Sequence, residues 1–389
     1  MKRQLMVGFS LIIAIGVYFF FFNDRGYHWA LPDDIPPPIV PINNPITAAK
    51  VELGRHLFYD KRLSANRSTA CATCHIQTKG FTDGKAFSSG LFGDLTTRNS
   101  MNLTNVAYNQ NFTWANPLNT RLEHQARLPL FGEMPPEMGL TGSEPNVIEQ
   151  LKNDETYQQL FKGAFSAQHD PFNFVNIINA IASFERSILS FDSPYDKYLR
   201  GEIDAISAAQ KRGMQLFFSE RTECFHCHGG FNFSDSSVHK NATQTAEHFH
   251  NNGLYNVDGK GAYPKSDRGL FDMTSHQGDM GKFKAPTLRN IAVTAPFMHD
   301  GSIATLEGVL THYINGGTDI RQGENKGFGS LSPFKSEFIP GLQLSEVEQT
   351  DLLSFLHSLT DQTFLTNPDL SDPFKATNKM ATSPKPLTD

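Results

Sequence analysis

The sequence predicts a mainly α-helical body made of two similar halves joined by long irregular loops. Three observations carry this reading. The pentapeptide C-x-x-C-H occurs twice, as Cys71-Ala72-Thr73-Cys74-His75 and Cys224-Phe225-His226-Cys227-His228, and uses all four cysteines of the chain. A helical segment leads into each copy, and Gly54-Arg55-His56-Leu57-Phe58 is echoed by Gly213-Met214-Gln215-Leu216-Phe217, a weak internal repeat. After each copy comes a stretch rich in small polar residues, 80–119 and 229–283, which reads as loops around a site.

Lys2 and Arg3 precede an apolar run of 18 residues, Leu5 to Phe22, close to the length that spans a bilayer. No small-x-small cleavage site follows it, so residues 1–23 read as an uncleaved signal anchor, with a cleaved signal peptide as the alternative. The positive residues stay inside and the body faces out. Residues 24–45 hold Pro32, Pro36, Pro37, Pro38, Pro41 and Pro45 and read as an extended tether. A helix is expected from about Thr47 to Tyr59. Another is expected from Phe172 to Leu189, where Phe174, Ile177, Ile178, Ile181, Phe184 and Ile188 recur at three and four. Ser190 to Pro194 closes it, which divides the body into 46–193 and 194–362. Ser207 reads as the N-cap of a helix over Ala208 to Ser219, and Ser345 with Glu348 as a capping box. Residues 363–389 read as a loosely ordered polar tail.

Hydrophobic residues at 39% and charged ones at 19% describe a globular protein. The net charge of -6 offers no basic footprint for nucleic acid.

C-x-x-C-H is the attachment signature of a c-type haem. Two cysteines three apart form thioethers to one porphyrin, and the adjacent histidine reaches the iron. Two pairs of cysteines could instead hold one zinc ion, or form disulfides or redox pairs. None of these requires a histidine after both pairs. Two haems, bound by Cys71, Cys74 and His75 and by Cys224, Cys227 and His228, are therefore expected. What each does depends on its sixth iron position. A filled position suits electron transfer, and an open one admits peroxide.

Further residues carry a family resemblance over about 46–360. They are Arg98-Asn99, Asn105 to Asn109 with Trp114, Pro286 to Asn290, and Ala295 to Ser302. With both C-x-x-C-H motifs, they make the chain resemble the bacterial di-haem cytochrome c peroxidases, and more closely the MauG-like branch. Trp114-Ala115-Asn116-Pro117 and Phe131-Gly132-Glu133 resemble the methanobactin-associated enzymes of that branch.

The resemblance implies two cytochrome-c-like domains whose haems face each other. It implies Glu137 as the distal acid–base group, with Glu133 as a competitor, Gln125 as a distal amide and Pro129 lining the pocket. Peroxidases of this family cap the first haem with a loop histidine. No histidine occurs between His75 and His124, so that haem is expected to be open, with His124 the nearest rival ligand. At the second haem the position of the peroxidase methionine is Tyr313 here, as in the MauG-like branch, with His312 and Met298 as rivals. Trp114 is implied as the relay between haems. Asn99 and the carbonyls of Thr294 and Pro296 are implied as ligands of one Ca2+, a cation that favours such oxygens.

The resemblance further implies a peroxidase that uses H2O2 to build a high-valent two-haem state. That state would oxidise a residue, a tryptophan, on a partner protein at the periplasmic side of the inner membrane. Two alternatives remain. One is a conventional peroxidase fed by a small cytochrome or copper protein, and the other is a non-enzymatic di-haem electron carrier.

Overall fold

Thr47 accepts a hydrogen bond from the Lys50 amide and starts helix α1 (Ala48–Tyr59). In this computed structural model, which describes residues 27–242 and 249–375, α1 is the first helix. The first C-x-x-C-H forms the short α2 (Cys71–Cys74). After a long irregular stretch come α3 (Leu122–Gln125), α4 (Arg127–Phe131), α5 (Glu144–Lys152), α6 (Glu155–Ala164) and the long α7 (Phe174–Arg186). The second half has α8 (Pro194–Leu199), α9 (Ala208–Phe217), α10 (Cys224–His228), α11 (Phe271–Thr274), α12 (Leu306–Ile314), α13 (Glu346–His357) and α14 (Gln362–Thr366). Two antiparallel pairs of two-residue strands complete the described regular structure: β1 (Phe249–His250) with β2 (Phe283–Lys284), and β3 (Asp319–Ile320) with β4 (Gly327–Phe328). The architecture is mainly helical.

Each half is built on one helix crossing. Helix α1 lies across α7, and α9 lies across α13. A glycine sits at both closest approaches. A Cβ at Gly54 would overlap the Ala180 carbonyl oxygen and come within 2.9 Å of Phe184 Cβ. A Cβ at Gly213 would overlap the Asp351 carbonyl oxygen and come within 2.9 Å of Phe355 Cβ. The faint sequence echo is thus a duplicated backbone-to-backbone contact. Leu53, Leu57, Phe58, Ile177, Ile181 and Phe184 bury the first crossing. Phe217, Phe233, Leu352 and Phe355 bury the second.

Helix ends differ modestly from expectation. α7 starts at Phe174 because Asn173 caps it, and α9 stops at Phe217. Ser207 and Ser345 both form capping boxes. Two stretches depart further. The chain from Thr363 to Lys375 is not a loose tail: Phe364, Leu365 and Leu370 bury in the first core, and Gln77 donates to the Phe364 and Asn367 carbonyls. Three apolar anchors in a polar segment outweigh its composition. The proline-rich stretch is a strap against the body. Tyr108 donates to the Pro36 carbonyl, and buried Asn44 donates to Glu123. The expected signal anchor, 1–23, lies outside the described residues. Among the described residues no helix is long and apolar enough to cross a membrane.

Candidate functional site: two cysteine-lined cavities around one tryptophan

The two C-x-x-C-H motifs line two different cavities, so they do not share one zinc ion. All four cysteines are free thiols. Burial pushes the Cys71 and Cys74 thiols up, and the Cys224 thiol up to about 11. Redox-active cysteines need the opposite shift. Half-buried and unpaired, all four thiols suit thioether attachment.

The histidines are set as metal ligands are. His75 Nδ1 lies 2.7 Å from the Phe81 carbonyl, and His228 Nδ1 lies 3.1 Å from the Phe233 carbonyl. Each Nδ1–H donates there, which leaves Nε2 for a metal. Burial pushes both imidazoles toward the neutral form that ligates. Phe81 (φ 61°) and Phe233 (φ 52°) both take the left-handed backbone, which is costly for a bulky residue. Both rings are fully buried, so packing holds the two carbonyls on their histidines. The residues therefore fit a haem c in each cavity. Nothing in the sequence signals these two phenylalanines.

The first cavity is lined by Cys71, Cys74, His75, Gln125, Pro129 and Glu137, among others. Gly132 breaks the chain after α4, and the turn that follows brings Glu137 back beside that helix. Burial holds the Glu137 carboxyl above the usual carboxylate range. Glu133, its competitor, is exposed and does not line the cavity. His124 is also exposed and away from it.

Sequence reasoning missed Glu185, which lines the same cavity from the last turn of α7. Its Oε2 is buried without a hydrogen-bond partner. Burial pushes its pKa up to about 8. The neighbouring Arg186 is committed to Glu123, with contacts of 2.9 Å. The only available signal was its place four residues after Ile181 and seven after Ile178, on the apolar face of the helix.

The second cavity holds Cys224, Cys227, His228, Met298 and Tyr313. The rival His312 is spent elsewhere: Nδ1 is 2.7 Å from Thr318 Oγ1 and Nε2 is 3.0 Å from the Asn252 carbonyl. Tyr313 lines this cavity, and burial raises its pKa strongly. The Met298 sulfur accepts from Asn252 Nδ2 at 3.2 Å.

Trp114 lines both cavities and a smaller one between them. Its Nε1–H donates to the Asn99 carbonyl at 2.9 Å. Asn99, Thr294 and Pro296 all line that smaller cavity. Asn99 Nδ2 donates to the Lys85 carbonyl at 2.7 Å, which turns Oδ1 away from Lys85. Asn102 lines the same cavity, and its Oδ1 is buried without a partner. An oxygen-rich pocket with an unsatisfied oxygen fits a hard cation such as Ca2+.

The sequence profile of the di-haem cytochrome c peroxidase family matches residues 48–204. Cytochrome-c peroxidase IdrP1 of Pseudomonas sp. (strain SCT) is 33% identical over 341 residues, covering 84% of this chain and 84% of that protein. Methylamine utilization protein MauG of Methylorubrum extorquens is 34% identical over 328 residues, covering 84% of this chain and 82% of that protein. Among solved structures, that of a MauG-like protein associated with microbial copper homeostasis is 46% identical, with a TM-score of 0.88. It covers 90% of this chain and 99% of that one.

Proposed function

Because the chain belongs to the di-haem cytochrome c peroxidase family, we propose that this MauG-like oxidoreductase uses H2O2 to oxidise a tryptophan on a partner protein. When bound, each haem c would supply an iron that exchanges electrons, and the first would also supply the centre at which peroxide is cleaved. The roles below are those of this chain's side chains.

Cys71 and Cys74 would anchor the first haem and His75 would ligate it, and Cys224, Cys227 and His228 would do the same for the second. Glu137, whose carboxyl burial holds above the usual carboxylate range, takes a proton from the inner peroxide oxygen and returns one to the outer oxygen, which leaves as water. Gln125 orients the peroxide by hydrogen bonding, and Pro129 excludes bulkier ligands. Tyr313 ligates the second iron through a hard anionic oxygen, which favours oxidised metal. Trp114 passes charge between the cavities. Asn99 Oδ1 and the Thr294 and Pro296 carbonyls hold one Ca2+. The body divides into 46–193, which handles peroxide, and 194–362, which stores oxidising equivalents. It works on the periplasmic side of the inner membrane.

The observation that carries this reading is the second cavity: Tyr313 lines it, while His312 does not and has both nitrogens engaged by Thr318 and the Asn252 carbonyl. Met298 lines the same cavity and favours a second reading, a peroxidase fed by a small cytochrome through a thioether-ligated haem. The test is one equivalent of H2O2 added to the diferric protein, followed by optical and Mössbauer spectroscopy. Both irons should respond, and the altered spectrum should persist without added donor. Turnover seen only with reduced cytochrome, together with a His/Met signature in low-temperature electron paramagnetic resonance, would reject the proposal.

A further inference from the structure

Lys284 is 2% exposed. Strand β2 fixes it, because its amide donates to the Trp114 carbonyl at 2.8 Å. Its side chain lines both the second cavity and the smaller cavity that Trp114 shares. Nζ donates to one neutral acceptor, the Asn111 carbonyl, at 3.0 Å. An ammonium has three donors, and among the described residues Lys284 forms no ion pair. The carboxylate that attracts it, Asp235, is engaged by His250 Nε2 at 2.5 Å. A buried cation with no counter-charge is expensive, and burial here pushes the amine down to about 7. The site lacks an anion.

That anion must come from the cavity side, and it must tolerate a position beside Trp114. An indole that loses an electron becomes a cation. A bare ammonium in the same pocket would oppose this by Coulomb repulsion in a medium of low dielectric constant. A carboxylate between them removes the conflict. Haem c carries two propionate carboxylates, and Lys284 lines the second cavity together with the smaller one that Trp114 shares.

We propose that Lys284 is the counter-ion of a propionate of the haem held by Cys224, Cys227 and His228, and so a positioning residue that sets that haem's potential beside Trp114. This rests on the di-haem reading above. The test uses the intact holoprotein and its Lys284→Met, Lys284→Gln and Lys284→Arg variants. Haem content is counted first by the pyridine haemochrome assay. Fewer than two haems in the wild-type protein would refute the di-haem reading itself.

With two haems present, the potential of each is measured by spectroelectrochemistry. Removing a positive charge favours the ferric form. The second haem should therefore become harder to reduce in the Met and Gln variants, with a smaller change at the first haem and recovery in the Arg variant. An unchanged potential in the Met variant would overturn the proposal, as would equal shifts at both haems. A wild-type potential in the Gln variant would overturn it too, because hydrogen bonding alone would then suffice. If the Met variant fails to bind haem, the Gln and Arg pair decides.

Discussion

Residues decide what each cavity can do. Glu137→Gln keeps the shape of the distal side chain and removes its proton. The rate of reaction with H2O2 should fall by about 10^2-fold or more in stopped-flow mixing, and Glu133→Gln should leave it unchanged. Glu185 makes a different prediction. Its carboxyl is raised from 4.5 to about 8, so the folded protein keeps a proton that the unfolded chain releases near its ordinary value. The stability tied to that proton is complete below about pH 4.5 and disappears as the pH rises through 8, a span worth up to a few kcal/mol. Guanidinium unfolding at pH 5 and pH 8 should show the wild-type protein losing more stability than Glu185→Gln across that interval. Glu137 was reachable only through the family resemblance, whereas the cysteines and the histidines beside them are legible in sequence because the motif names them. Glu185 and Lys284 are not, because their character comes from burial and from partners they lack.

Elements set where those residues stand. The two crossings, α1 on α7 and α9 on α13, each leave no room for a methyl group at one glycine. Gly54→Ala and Gly213→Ala gain helix propensity of about 1 kcal/mol. They must also push backbone apart, and overpacking typically costs about 1–3 kcal/mol. Both variants should melt at lower temperature. Each should lose haem selectively from its own motif, read by mass spectrometry of the peptides carrying Cys71–His75 and Cys224–His228. The helices and caps were readable because the apolar period and the Ser–x–x–Glu/Gln boxes are local signals. The last segment was not, because Phe364 and Leu370 gain their value only from contact with a core nearly 300 positions earlier. The left-handed Phe81 and Phe233 were equally hidden, since no local rule predicts a bulky residue there.

At the scale of the whole molecule, the halves meet at Trp114. Replacing it with phenylalanine keeps an aromatic filler but removes the easily oxidised indole and its N–H. With one equivalent of H2O2, Trp114→Phe should retain the optical response of the first haem and lose that of the second. The proposed calcium site makes a parallel prediction: EGTA should disturb the same communication, and added Ca2+ should restore it. A structural reason links the two experiments. Asn99 donates its amide to the His299 carbonyl, its carbonyl holds the Trp114 N–H, and its side chain reaches the cation pocket. A single residue thus joins the pocket to the indole. A cation held there, as proposed, would act on the indole through that one residue, as a volume control acts on a signal, changing its strength and leaving the circuit intact.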